Sequence, residues 1–337
     1  MFDEGLKKSL TSHRVETYMN MFGTIVFLII GLVLVVSGAD VLIDGASAIA
    51  RKWGVSEFVI GLTIVALGTS APEMVVSFIS AIQGNSDMAV GNIIGSNIFN
   101  TALILGISTV ICPIIITHEN THRDIPLNIA VTSVLILLGL RRNLFHFGMN
   151  GMNRADGILF LAIFVWYMIT SFKNGKQADT EERDRHDSFI KASIYIIGGL
   201  AALVFGGRMF VNNAEAIARM AGWSDKFIAI TILAAGTSLP ELATSVVAAI
   251  KGKSQLALGN IIGSNTSNIL LILGGASLIH PLDMNGISLT DYSALFICAL
   301  FLLICTFTGT RNRLDRSEGV VLLIIEIAYM TYLIHTV

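Results

Sequence analysis

Charge is scarce in this chain. Its 337 residues include 22 Lys or Arg and 24 Asp or Glu, 14% in all, where an ordinary globular domain holds about 25%. A soluble protein of this length must clothe its core in polar surface. Here the charges are too few for that and are bunched in short stretches. This excludes a soluble enzyme and a disordered chain. The net charge of −2 leaves no basic footprint for nucleic acid. Only three cysteines occur, Cys112, Cys298 and Cys305, all in or beside apolar runs. Their spacing fits neither a disulfide framework nor a zinc site, and they read as small buried hydrophobes.

Apolar residues are abundant instead, at 53% with a mean hydropathy of +0.72. Runs of about 18 or more read as transmembrane helices. Ten are expected, near 22–42, 57–82, 88–112, 124–140, 155–171, 190–212, 226–250, 256–279, 290–308 and 319–336. Residues 1–20 are polar and mixed in charge, so no signal peptide is read there. The longest polar stretch, from Lys173 to His186, reads as a solvated linker between halves. With loops numbered alternately, thirteen Lys and Arg fall on the linker side and eight on the other. That bias puts the linker in the cytoplasm and both termini outside.

The chain repeats itself. Shifted by 168 positions, GLTIVALGTSAPEMVVSFISAIQGNSDMAVGNIIGSNIFN from Gly61 falls on AITILAAGTSLPELATSVVAAIKGKSQLALGNIIGSNTSN from Ala229, without a gap. Each half then carries five spans, and an odd number makes the second half enter the membrane from the opposite side. The expected fold is an all-α membrane protein of ten transmembrane helices in two inverted five-helix repeats. The first repeat covers 1–172, the cytoplasmic linker 173–189 and the second repeat 190–337. Secondary transporters with this symmetry hold substrate at the midplane, where the repeats meet.

The repeated stretch is also polar. Glu73 and Glu241 lie deep in apolar helices, where a carboxylate costs several kcal/mol unless it is paired, protonated or wet. Thr69 and Ser70 sit four and three residues before Glu73, and Thr237 and Ser238 do so before Glu241. On a continuous helix each set shares a face. Pro72 and Pro240 donate no backbone hydrogen bond, so the carbonyls near Ala66, Thr69, Ala234 and Thr237 are loosened. The next helix adds a stripe of Asn92, Ser96 and Asn100, matched by Asn260, Ser264 and Asn268. Carboxylate, hydroxyl, amide and carbonyl oxygens without His or Cys suit hard cations such as Ca2+ and Na+ rather than zinc, copper or iron. Two carboxylates neutralise one Ca2+ or two Na+.

In both halves the run G-T-S-x-P-E followed by G-S-N-x-x-N resembles the α-repeats of the cation/calcium exchanger superfamily, most closely its prokaryotic sodium/calcium exchangers. The resemblance covers essentially the whole chain. It implies a Ca2+ site between Glu73 and Glu241, completed by the carbonyls of Thr69 and Thr237. It implies flanking Na+ sites, one from Ala66 carbonyl, Ser70, Ser96 and Glu73, the other from Ala234 carbonyl, Ser238, Ser264 and Glu241. Asn100 and Asn268 complete the central diamond. Some relatives carry Asp where Asn268 stands, and in the potassium-dependent branch that Asp goes with potassium transport. Asn here implies no potassium requirement.

The expectation is a cell-membrane antiporter exchanging Na+ for Ca2+ by alternating access, electrogenic in the family pattern. It uses no cofactor, and its partners are the two ions and the bilayer, with no obligate protein partner. Glycines at 31, 38, 198, 199, 206 and 207 are expected to let spans 1 and 6 slide over the other helices. Three other readings compete. A proton-coupled antiporter of the same superfamily is opposed by the serines and threonines of the separate sodium sites. A passive channel is opposed by the inverted duplication, and an intramembrane enzyme by the lack of a nucleophile or metal-ligating histidine.

Overall fold

The computed structural model describes residues 2–146, 148–175, 188–223, 234–308 and 312–336, with side chains from residue 21 onward except at 234. The helices are α1 (Phe2–Trp53), α2 (Glu57–Thr69), α3 (Ala71–Ile82), α4 (Ser86–Ile111), α5 (Ile125–Gly139), α6 (Arg141–Phe145) and α7 (Arg154–Asn174) in the first half. The second half has α8 (Phe189–Met220), α9 (Ala234–Thr237), α10 (Leu239–Ile250), α11 (Ser254–Ile279), α12 (Leu289–Cys305) and α13 (Arg316–Thr336). Part of the expected seventh span, residues 226–233, and most of the linker lie outside the described residues.

The protein crosses the membrane several times. Among the described residues six helices are long and apolar enough to span, or seven when α2 and α3 are taken as one bent span. The length test does not count all ten expected spans: α5 and α12 have 15 and 17 residues, where a span needs about 20, and the expected seventh span lies partly outside the described residues before α10. Large apolar side chains on α1, α7, α8 and α13 face outward, among them Phe27, Ile158, Ile197 and Ile324. In water such a belt would aggregate; in lipid it is the solvent-facing surface. Trp53, Trp166 and Trp223 also lie at the surface, as an interfacial belt requires.

Two helices are central. α11 is 94% buried over its most apolar window and α4 72%, against 17–28% for α1, α7, α8 and α13. The repeat is visible in the backbone itself. α3 and α10, the short helices Ala66–Thr69 and Ala234–Thr237, and the wide π-helical turns Asn100–Leu105 in α4 and Asn268–Leu273 in α11 all recur at the 168-residue offset. Such π segments are rare and gather at functional sites.

Glycine sets how closely the layers approach. A Cβ on Gly259 would stand 2.3 Å from the Phe58 carbonyl, and one on Gly263 would stand 2.3 Å from that of Leu62. α2 therefore lies directly on α11. α1 and α8 meet in the same way, Gly31 against Gly206, Gly38 against Gly199 and Gly45 against Ala192. The partner number falls by seven as the first rises by seven, so the two helices run antiparallel. Gly198 and Gly207 take no part in this contact: a Cβ at Gly198 would meet nothing within 4 Å, and at Gly207 only ordinary contact with Leu239 of α10.

Two short antiparallel ribbons stitch the halves together. β1 (Ile114–Ile115) pairs with β4 (Arg313–Leu314), and β2 (Gly151–Met152) with β3 (Leu282–Asp283). Gly151, at φ 143°, could carry no side chain, because a Cβ would collide with the Leu282 carbonyl 2.0 Å away.

Candidate cation site

The site begins with a broken helix. Pro72 occupies the first turn of α3, where its missing N–H is tolerated but where the preceding helix cannot continue. Ser70, at φ −77° and ψ 9°, leaves helical geometry, and α2 and α3 meet at 49°. Ser238 does the same before Pro240, at φ −86° and ψ 8°. The break points each serine across the molecule. Ser70 Oγ donates to Glu241 Oε1 at 2.8 Å, and Ser238 Oγ donates to Glu73 Oε1 at 3.0 Å. The resemblance implied Ser70 and Glu73 in one sodium site, and their spacing put them on one helix face. The structure instead joins each serine to the carboxylate of the other repeat.

The other predicted residues gather around this exchange. Ser96 Oγ reaches Glu73 Oε1 at 3.5 Å, the edge of hydrogen-bond range. Thr69 Oγ1 donates to Asn260 Oδ1 at 3.2 Å and to the Ala66 carbonyl at 3.3 Å. That carbonyl also accepts from the Ser70 N–H at 3.0 Å. Asn260 Nδ2 donates to Ser245 Oγ, and Asn92 Nδ2 to Ser77 Oγ and the Glu73 carbonyl. Thr237 is half-buried at the wall of a cavity. Ala234 opens the short helix leading to it.

Sequence reasoning missed the residues that aim Asn100 and Asn268. Asn100 Nδ2 donates to Asn265 Oδ1 at 3.2 Å, and Asn268 Nδ2 to Asn97 Oδ1 at 3.0 Å. Asn97 Nδ2 in turn bonds the Asn265 carbonyl, and Asn265 Nδ2 bonds Thr101 Oγ1. The NH2 groups of Asn100 and Asn268 are thus both engaged, while neither amide oxygen has a hydrogen-bond partner among the described residues. The signal was present in the motif: the first Asn of G-S-N-x-x-N stands three residues before the second.

Five buried oxygens at this site have no hydrogen-bond donor among the described residues. They are Glu73 Oε2, Glu241 Oε2, Asn100 Oδ1, Asn268 Oδ1 and Ser264 Oγ. Glu73 and Glu241 are 0% and 1% exposed and close enough to interact electrostatically. A buried acceptor without a donor costs roughly 1–3 kcal/mol, and more when charged. Carboxylate and amide oxygens can be satisfied by a hard cation in place of a donor. Among the described residues no group of three or more His, Cys, Asp or Glu offers an alternative metal centre.

A cavity of about 640 Å³ leads toward this cage. Its wall includes Asp87 and Asn92 of α4, Arg208 and Asn212 of α8, and Thr237 beside Pro240. Arg208 aligns with Asp40 in the repeat, but the two ends differ. Asp40 and Asp44 both pair with Lys251 at 2.7 Å, while Lys253 donates to Ser47 Oγ and approaches Glu57 at 3.7 Å. Partial burial opposes the charge on Lys251, but the two carboxylates outweigh it and raise its pKa.

Fold and site together define a polytopic membrane protein with a buried cluster of unpartnered oxygens at its centre. Residues 23–173 and 191–335 match the family described as Sodium/calcium exchanger protein. The chain is 39% identical to CaxA of Alkalimonas amylolytica, over 90% of this chain and 96% of that one. It is 34% identical to sodium/calcium exchanger MaX1 of Methanosarcina acetivorans, over 91% and 97%. Among solved structures it is similar to the sodium-calcium exchanger NCX_Mj, with TM-score 0.81 and 31% identity over 92% of this chain and 99% of that chain. The chain belongs to the sodium/calcium exchanger family, a transporter family.

Proposed function

We propose that this chain is a secondary antiporter that exports Ca2+ against Na+ entering the cell, electrogenically and without potassium. The observation that carries this reading is the set of five buried oxygens with no donor, two of them from carboxylates of different repeats. One Ca2+ or two Na+ would neutralise the pair, so occupation by one ion displaces the other. Glu73, Glu241 and the carbonyls of Thr69 and Thr237 would hold Ca2+. Ser70, Ser238, Ser96, Ser264 and the carbonyls of Ala66 and Ala234 would supply Na+ ligands. The serine bonds cross between the repeats, so each Na+ site would draw on both of them. Neutral amides at Asn100 and Asn268 offer no third charge, which supports potassium independence.

The architecture we assign is ten spans in two inverted repeats, 1–172 and 190–337, around the linker at 173–189. The antiparallel meeting of α1 with α8 supports the inversion. Lys and Arg bias places the linker in the cytoplasm and the termini outside, in the cell membrane. Alternating access would move α1 and α8 as one body, because their glycines press backbone on backbone. In the described state one end of that body is fastened by Lys251 to Asp40 and Asp44, while Arg208 and Asn212 at the other line the open cavity.

The test is ⁴⁵Ca2+ uptake into proteoliposomes loaded with Na+ and diluted into Na+-free buffer. Uptake should require internal Na+ and vanish in Glu73→Gln. Uptake driven by a pH gradient would make the protein a proton-coupled antiporter, and flux without any counter-ion would make it a channel.

A further inference from the structure

The two repeats do not make the same contacts. α1 lies along α10, and the repeat counterpart of that pair is α8 with α3. α8 stands off α3. The cavity of about 640 Å³ lies between them, with Val204 and Val211 of α8 on one side and Val75 and Val76 of α3 on the other. One end of the molecule is therefore closed and the other open.

The closed end is held by charge. Lys251, just past the end of α10, pairs with Asp40 and Asp44 of α1 at 2.7 Å. The open end carries the signs the other way round. At the 168-residue offset Asp40 becomes Arg208 and Asp44 becomes Asn212, so here the moving helix brings the cation. Gln83, the counterpart of Lys251, is neutral, but Asp87 follows it in the first turn of α4. Arg208 and Asp87 are the only base and the only acid on the cavity wall among the described residues. Both are exposed, and neither has an ion-pair partner among those residues.

Closing this cavity would take water from both groups. A charge buried without a partner costs far more than a paired one. A guanidinium at the mouth of a cation path also repels what must pass, unless a carboxylate balances it. Transporters built from inverted repeats alternate by moving one unit against the other around a fixed site. When the halves exchange conformations, α8 comes to lie on α3 as α1 now lies on α10. That motion carries Arg208 toward the α3–α4 turn and Asp87.

We propose that Arg208 and Asp87 pair in the opposite-facing state and form a latch that closes this cavity, as Lys251 with Asp40 and Asp44 closes the other end. The proposal rests on the alternating-access part of the reading above. Each half-cycle then breaks one partly exposed ion pair and makes another, so neither state is held much more firmly than the other.

The test uses the full chain in proteoliposomes with a reporter thiol, Val204→Cys, on the cavity wall. A water-soluble maleimide labels it, and mass spectrometry reads the labelling at that site. Arg208→Glu and Asp87→Arg should each leave the cavity open longer and raise the labelling rate by roughly two- to fivefold, the range of a partly exposed pair. Arg208→Lys should match the parent, and the double variant Arg208→Glu with Asp87→Arg should return to it. A local packing defect would not give that rescue. Parent-like labelling in both single variants, or a double variant that stays with the single ones, would overturn the latch while leaving the transport reading intact. Labelling of the parent that neither Na+ nor Ca2+ changes is a separate result: it would overturn alternating access, and the latch with it.

Discussion

Ser70 of the first repeat donates its hydroxyl hydrogen to Glu241 of the second at 2.8 Å. Ser238 returns the bond to Glu73 at 3.0 Å. Each carboxylate therefore accepts a serine hydroxyl from the other repeat. A hydrogen bond to a charged group contributes about 1.5–3 kcal/mol. A double-mutant cycle on thermal unfolding in detergent should show coupling of that order between Ser70→Ala and Glu241→Gln. The cycle between Ser70→Ala and Glu73→Gln should show much less.

Asn265 carries three bonds of the central ladder: its Oδ1 to Asn100, its carbonyl to Asn97 and its Nδ2 to Thr101. Asn265→Ala removes the acceptor of the Asn100 amide in a buried setting, while the Thr101 hydroxyl keeps its bond to the Asn97 carbonyl. The orphaned amide costs about 1–3 kcal/mol. The variant should lose stability of that order and also weaken Ca2+ binding, because Asn100 would be free to rotate. Differential scanning fluorimetry and ⁴⁵Ca2+ binding measure the two effects.

The contact of α1 with α8 separates neighbouring glycines. A Cβ on Gly199 would stand 2.7 Å from the Gly38 carbonyl, whereas at Gly198 it would meet nothing within 4 Å. Gly199→Val should destabilise by about 1–3 kcal/mol or more through overpacking. Gly198→Val should stay within about 0.5 kcal/mol, as for a surface change. Thermal stability of the two variants in one detergent decides the matter.

The fastening of α1 by Lys251 is partly exposed and therefore weak, at about 0–1 kcal/mol. Because the pair raises the pKa of Lys251, its contribution is complete below the ordinary lysine range. It fades only as pH rises through the raised value, so it is intact between about pH 7 and 9. Lys251→Gln should speed Ca2+ exchange by up to about fivefold, a difference of roughly 1 kcal/mol. High salt should produce part of the same gain in the parent protein.

Much of this was legible in the residues. The 168-residue offset located both carboxylates, both serine pairs and both amide stripes, because polar groups duplicated inside an apolar chain are costly unless they bind something. The partners were less legible. Ser70 lies three residues from Glu73, which on an unbroken helix means contact, but Pro72 breaks the helix at Ser70 and turns the hydroxyl toward Glu241. Glu326 of α13, only 4% exposed, was not legible as a buried carboxylate, because it has no repeat partner and sits in a run that hydropathy alone reads as lipid-facing. Gly198 and Gly207 resembled their neighbours in composition, and only the rotation of α8 shows which glycines meet α1.

Equilibrium binding of ⁴⁵Ca2+ to the purified protein, with Na+ as competitor, tests the central claim most directly. One cage built from both repeats predicts one Ca2+ per chain, displaced by Na+, and lost in Glu73→Gln and in Glu241→Gln alike. Two Ca2+ per chain, each removed by only one of these substitutions, would mean that every repeat carries its own site and would contradict the account.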